Sequence, residues 1–186
     1  MRTRELVIIS GPSGVGKDTV IDAWTARNPD VRRVVAWTTR APRPGESDGV
    51  AYHFRSEAEF LQAAADGAFL EHKRVHDNWY GTPRSGVEAL IAEGKVPLLK
   101  IDVQGAVEVM QARPTTLSIF LLAPSWQELE RRIRERGTED EAAVQRRLAE
   151  AQNEIALSER YRFRLVNDDL ARTVAQIEAI VGEVRA

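Results

Sequence analysis

Residues 11 to 18 read Gly-Pro-Ser-Gly-Val-Gly-Lys-Asp, directly after the apolar run Leu6-Val7-Ile8-Ile9. Few folds accommodate that succession. A buried strand must end, the backbone must wrap tightly through Gly11, Gly14 and Gly16, and a helix must begin where the amides converge. Such a turn cradles phosphate. Across Gly11, Pro12, Ser13, Gly14, Val15 and Gly16 several backbone N–H groups point inward, the helix adds its positive dipole end, and Lys17 can follow the β- and γ-phosphates of a nucleotide. The other reading is a plain glycine turn. The strand before it and the amphipathic run Val20, Ile21, Trp24 after it favour the phosphate loop. The pattern places Ser or Thr after the lysine as a Mg²⁺ ligand. Here Asp18 stands there, with Thr19 behind it.

The rest of the chain alternates as a strand–loop–helix unit requires. Apolar runs at Leu6–Ile9, Val34–Trp37, Val96–Ile101, Leu117–Leu122 and Phe163–Val166 are separated by helical patterns. This predicts an α/β fold with a largely parallel sheet flanked by helices. Ser56-Glu57-Ala58-Glu59 and Ser125-Trp126-Gln127-Glu128 read as capping boxes, with Gly67 and Gly137 as stops. Residues 139–160 are charged and helically periodic. A last helix is expected from about Asp169, with Val174, Ile177, Ile180, Val181 and Val184 on one side. Two stretches break the alternation: 38–83, with its prolines, glycines and aromatics, and 126–150, crowded with arginine. Both read as insertions over one core, one on each side of the phosphate loop. A length of 186 residues suits a single domain.

Composition removes several classes of function. Lys plus Arg total 26 and Asp plus Glu 28, a formal net charge of −2, which argues against a nucleic-acid face held by bulk charge. Without cysteine there are neither disulfides nor thiolate metal sites. No apolar run approaches the roughly 18 residues of a membrane span, and residues 1–5 lead straight into a strand. A cytoplasmic protein without membrane segment, signal peptide or obligate protein partner is expected.

Further groups could carry chemistry. In Thr38-Thr39-Arg40-Ala41-Pro42-Arg43-Pro44-Gly45-Glu46 two arginines three apart are stiffened by two prolines, a fork suited to a second phosphate. Alternatively these arginines pair with Glu46 and Asp48. Tyr52 and Tyr80 can donate to phosphate oxygens or be half-buried aromatics. Glu71, in Phe69-Leu70-Glu71-His72, can accept two N–H bonds from a guanine edge or be an exposed charge at a helix end. His72 and His76 are four apart, but no third ligand is in sight, so zinc is not expected. Asp102 ends an apolar strand, as a carboxylate turned toward Mg²⁺ does. Arg132, Arg136 and Arg147 suit a mobile lid over a transferring phosphoryl group, or a solvated helix paired with Glu128, Glu130 and Glu135.

These residues together resemble the guanylate kinases along nearly the whole chain. The resemblance is carried by Gly11–Lys17, Thr38–Glu46, Tyr52 with Phe54, Phe69-Leu70-Glu71-His72, Tyr80-Gly81-Thr82, Ile101-Asp102-Val103-Gln104-Gly105, Arg136-Gly137-Thr138-Glu139 and Val166-Asn167-Asp168-Asp169. It implies phosphoryl transfer from ATP to GMP or dGMP with Mg²⁺, in purine nucleotide metabolism. It also implies a P-loop core (about 1–37, 84–125 and 151–186), a GMP-binding segment (about 38–83) and a helical lid (about 126–150). Arg40, Arg43, Tyr52 and Tyr80 would hold the GMP phosphate, Glu71 and Thr82 would read guanine, and Asp102 would lie beside them. The loop with Lys17, Asp18 and Thr19 would hold ATP, joined by Arg132, Arg136 and Arg147, with Asn167 by the adenine. Lys17, Arg40, Arg136 and Arg147 would carry the catalysis, by alignment and charge neutralisation, and Asp18 and Asp102 would face the metal.

Three positions depart from the family. Ala36 stands for a base-contacting serine, Asp18 for Ser or Thr, and Lys100 for the first acid of an Asp-Ile-Asp sequence. The last two changes are expected to be linked: the carboxylate has moved from 100 to 18, and Lys100 pairs with Asp18 or reaches a phosphate. Two alternatives accompany this reading. Ribose 1,5-bisphosphate kinases are similar, and some carry Gly-Lys-Asp in the loop, but such a substrate leaves Glu71 and Thr82 nothing to read. A non-catalytic guanylate-kinase-like binding module would usually have lost the phosphate loop, which this chain keeps.

Overall fold

The computed structural model describes residues 6–75, 77–135 and 141–185. Strand β1 (Val7–Ser10) is buried throughout and runs through the glycine loop into α1 (Lys17–Arg27), followed by β2 (Val31–Arg33). The chain then leaves the core through β3 (Trp37–Thr38), β4 (His53–Phe54), α2 (Glu57–Ala65), β5 (Phe69–Val75) and β6 (Asn78–Pro83). It returns by α3 (Arg84–Ala92) to β7 (Val96–Lys100), α4 (Val103–Ala112), β8 (Leu117–Leu122), α5 (Trp126–Glu135) and α6 (Glu141–Ala156). A 3₁₀ turn at Leu157–Arg160, β9 (Phe163–Val166) and α7 (Leu170–Arg185) complete it.

Among the described residues the strands form two sheets. One is parallel, in the order β2-β7-β1-β8-β9. Strands β1, β7 and β8 were legible because both their faces are covered and nearly every residue is apolar, whereas β2 is Val-Arg-Arg and β9 exposes alternate residues. Val7, Ile9, Leu98 and Ile119 pack with Trp24 of α1, Ile133 of α5 and Ile177 of α7. Ile8, Leu99 and Phe120 pack with Val103, Ala106 and Val109 of α4. The chain winds away from β1 in both directions, to β7 and to β8, so a crevice opens at the carboxyl end of β1. Ile9 lies opposite Lys100, and Ser10 opposite Phe120.

The second sheet, β4-β3-β6-β5, rests on aromatic stacking rather than a broad core. Phe60 of α2 stacks on Phe69 with ring centroids 4.6 Å apart and on Trp79 at 5.9 Å. The expected strand Val34–Trp37 is corrected here. The edge strand of the large sheet is β2, and Val34 extends it only by donating its N–H to Leu98 O at 2.9 Å. Trp37 crosses to the second sheet, opposite Gly81. An apolar run can therefore straddle two sheets when each takes part of it.

Local signals hold elsewhere. Ser56 and Glu59 complete their capping box, and Gly67, at φ 70°, turns the chain just beyond α2. Ser125 Oγ accepts from Glu128 N at 3.1 Å, but the Glu128 carboxylate turns to Arg131 and Arg132. The expected stop at Gly137 lies outside the described residues. Asp169 caps α7 by accepting from Arg172 N at 2.8 Å. Among the described residues no helix is long and apolar enough to cross a membrane.

Trp24 is 1 % exposed and fills the layer between α1 and the sheet. Trp24→Ala is expected to lower the unfolding free energy by about 3–5 kcal/mol, as large core truncations do. Urea unfolding checks it; a loss below about 1 kcal/mol would show that the layer does not depend on this side chain.

Candidate active site

The glycine loop is closed by constraints from both ends. Gly16 caps α1 at φ 92°, a left-handed conformation, and a Cβ there would stand 2.8 Å from Asn167 Nδ2. Asn167, just past β9, donates Nδ2 to Val15 O at 2.8 Å and its own N–H to Leu122 O. It thus braces the back of the loop. Lys17 folds over the loop, its ammonium donating to Gly11 O and to Pro12 O at 3.0 Å. Arg147 reaches in from α6 and donates to Ser13 Oγ at 2.7 Å. Arg132, on α5, lies against Gly14 and pairs with Glu128 at 2.7 Å. Arg136 lies outside the described residues.

A cleft of about 280 Å³ opens before the loop. Lys17, Asp18 and Thr19 form one side, and Lys100, Asp102 and Glu154 the other. Lys100 is ion-paired with Asp18. Burial opposes ionisation of Asp18, but Lys100, with Arg33 and Lys17, outweighs it and holds the carboxyl below its usual range. Asp102 Oδ1 caps α4, accepting from Gln104 N and Gly105 N at 2.9 Å, and Oδ2 lies 3.3 Å from Lys73 Nζ. Burial raises the Glu154 carboxyl, with Lys17 opposing.

A second cleft, of about 250 Å³, lies beyond the same wall. It is lined by Tyr52, Glu71, Tyr80 and Asp102, and by Ala36, which offers no side-chain hydrogen bond. Arg40 stacks over the Tyr52 ring at 5.3 Å and is gripped by both oxygens of Glu46 at 2.7 and 2.8 Å. Arg43 donates its backbone N–H to Glu46 at 2.8 Å, while its side chain is exposed. The arginine–glutamate pairing weighed from the sequence is thus present. Arg40 and the Arg43 amide push the Glu46 carboxyl down to about 2.

Glu71 is on strand β5 and 7 % exposed, so the alternative of an exposed helix-end charge is removed. Thr82, buried behind it on β6, donates to Glu71 Oε1 at 2.5 Å. Oε2 rests against Gly105 of α4, where a Cβ would stand at 2.7 Å, so glycine permits the approach. Burial pushes the Glu71 carboxyl up to about 7, Asp102 and Glu108 adding to it and Thr82 opposing.

Lys73 and Glu154 line these clefts without having been singled out from the sequence. Lys73 was recoverable in principle: two residues after Glu71 on one strand, it shares that residue's face. Glu154 carries no local signal on α6. His72 falls on the other face, among the rings of Phe60, Phe69 and Trp79. His76 lies outside the described residues.

A parallel sheet whose first strand feeds a phosphate loop, with a second polar cleft across the strand ends, defines a P-loop phosphotransferase class. The family model for guanylate kinase matches residues 3–184. The chain is 45% identical over 175 residues to the guanylate kinase of Alkalilimnicola ehrlichii, covering 94% of this chain and 86% of that protein. It is 47% identical over 181 residues to that of Symbiobacterium thermophilum, covering 97% and 86%. The crystal structure of guanylate kinase from Anaplasma phagocytophilum superposes with a TM-score of 0.76 at 32% identity, over 97% of this chain and 86% of that one. The chain belongs to the guanylate kinase family.

The raised Glu71 carboxyl makes a testable demand on stability. Below the unfolded-state value both states hold the proton and nothing is lost. As pH rises from about 4.5 to about 7 the unfolded chain ionises first, so the folded state loses stability; above 7 the loss is complete. Urea unfolding of Glu71→Gln should therefore gain on the wild type across that window, by roughly 2–4 kcal/mol. A difference independent of pH would show that Glu71 is not raised.

Proposed function

We propose that this protein transfers the terminal phosphoryl group of ATP to GMP, and also to dGMP, giving ADP and GDP or dGDP. The observation that carries the reading is the pair of clefts sharing the wall Lys100–Asp102: a phosphate loop with Lys17 on one side, a guarded carboxylate with tyrosines on the other. Family membership supports it. An oxygen of the GMP phosphate attacks the γ-phosphorus, the bond to the ADP oxygen breaks, and no strong base is needed because the acceptor is already anionic.

Glu71 and Thr82 account for guanine. Guanine presents a ring N–H and an amine side by side, and an ionised carboxylate can accept both. Arg40, Arg43, Tyr52 and Tyr80 take the acceptor phosphate, exchanging carboxylate partners such as Glu46 for phosphate oxygens. Lys17 and the loop amides take the donor phosphates, with Arg132, Arg136 and Arg147 completing the charge neutralisation. Asn167 acts near the adenine through its hold on the loop. The division into core, GMP-binding segment (about 38–83) and lid (about 126–150) belongs to this reading.

Mg²⁺ belongs to it as well. Asp18 and Asp102 line the loop cleft and offer the hard oxygen donors this ion takes. Among the described residues no three His, Cys, Asp or Glu side chains converge, so the nucleotide's own phosphates would supply much of the coordination. The ion would neutralise phosphate charge. The reading places the protein in purine nucleotide metabolism, in the cytoplasm.

ADP release from Mg·ATP with GMP, dGMP, AMP, UMP and ribose 1,5-bisphosphate as acceptors tests the activity. Turnover with GMP and dGMP alone is expected; turnover confined to the ribose bisphosphate would overturn the reading. The base contact has its own pH signature. Guanine favours ionised Glu71, so GMP affinity is full above pH 7 and declines below it, by up to about tenfold per unit. Calorimetric titration beside Glu71→Gln removes the contribution of the GMP phosphate's own titration, and the variant should lack the excess decline.

A further inference from the structure

Phosphate loops place a hydroxyl after the lysine; this chain places the Asp18 carboxylate there, and the neighbouring strand answers with an ammonium. Lys100 ends β7, opposite Ile9 in the register, and is ion-paired with Asp18 across the mouth of the loop. It lines the phosphate-loop cleft and the second cleft alike. Among the described residues it is the cationic side chain common to both, since Lys17 lines the first and Lys73 the second. An ammonium at that border is where donor and acceptor phosphates must meet if the proposed function holds, and the inference rests on that reading.

We propose that Lys100 is a further phosphate-binding residue of this reaction, its ammonium leaving Asp18 for the phosphate oxygens brought together between the two clefts. The exchange is physically easy. The Asp18 side chain is 52% exposed and that of Lys100 23%. Ion pairs open to water hold weakly, whereas a phosphate is a multiply charged partner for the same ammonium. Lysine carries its charge on a flexible stem, so it can swing without moving the strand. Before substrate arrives, Asp18 keeps the ammonium at the cleft mouth. During transfer the ammonium adds positive charge where it is spread over the phosphoryl oxygens. Lys100 would thereby touch substrate rather than merely cancel Asp18.

Those two roles separate in a double-mutant cycle built from Lys100→Met and Asp18→Asn. Turnover with GMP is measured for each protein, together with binding of GMP, of ADP, and of a bisubstrate dinucleotide joining adenosine and guanosine through five phosphates. Lys100→Met is expected to lower kcat and bisubstrate affinity roughly 10- to 100-fold, the worth of a charged hydrogen bond, with and without Asp18→Asn. GMP and ADP alone should weaken far less, and Lys100→Arg should recover most of the loss. A loss that vanishes once Asp18→Asn is present would reduce Lys100 to a neutraliser and overturn the proposal. So would an unchanged bisubstrate affinity, or a loss tracking a lowered melting midpoint that Lys100→Arg does not restore. A wild type without GMP turnover would overturn the proposed function, and this inference with it.

Discussion

The backbone pairing of β1 with β7 is the contact on which the site depends. Val7, Ile8 and Ile9 lie opposite Leu98, Leu99 and Lys100 in a parallel register. Both strands therefore end at the same height, and their carboxyl ends deliver two segments side by side: the glycine loop from one, Lys100–Asp102 from the other. The register is pinned by burial on both faces, because a slip of one residue would turn every side chain to the opposite layer. The second sheet is then hung beside this edge by Glu71, whose carboxylate reaches the first turn of α4 at Gly105.

Charge at the site is arranged in exchangeable pairs. Arg40 is held by Glu46, Lys100 by Asp18, and Lys73 by Asp102, which also caps α4. Lys100 and Lys73 line the clefts while paired, so on the proposed reading an incoming phosphate would replace a carboxylate partner with little reorganisation. Glu71 behaves differently. It has no cationic partner among its neighbours that shift it, and burial with Asp102 and Glu108 nearby keeps it protonated toward neutral pH. Guanine, a donor of two N–H groups, is the kind of ligand that makes ionising it favourable.

Much of this is legible in the order of residues alone. Leu117–Leu122 is a strand where its apolar run stands, because a buried parallel strand leaves no polar alternation to blur its limits, and Phe163–Val166 is one at the sheet edge, where alternate residues are exposed. Ser56–Glu59 and Asp169 act as caps because their hydrogen bonds are local. The run Val34–Trp37 misled because it serves two sheets. Glu71 was readable as a base-contacting acid, but its strand and its burial were not, since both come from Thr82 and Gly105, far along the chain. Glu154 left no trace, since nothing local tells that its turn of α6 faces the loop.

The order of residues is enough for the α/β alternation, the phosphate loop, the arginine and tyrosine groups and the paired departures at Asp18 and Lys100. Each is written in short-range spacing, where backbone geometry and side-chain type suffice. The tertiary fold settled the rest: it gives Lys100 to Asp18, the first of the two partners expected for it, lets Asp102 line both clefts, brings Arg147 to Ser13 and buries Glu71. Those contacts join residues tens of positions apart, and their existence depends on strand order and register, which no local pattern encodes.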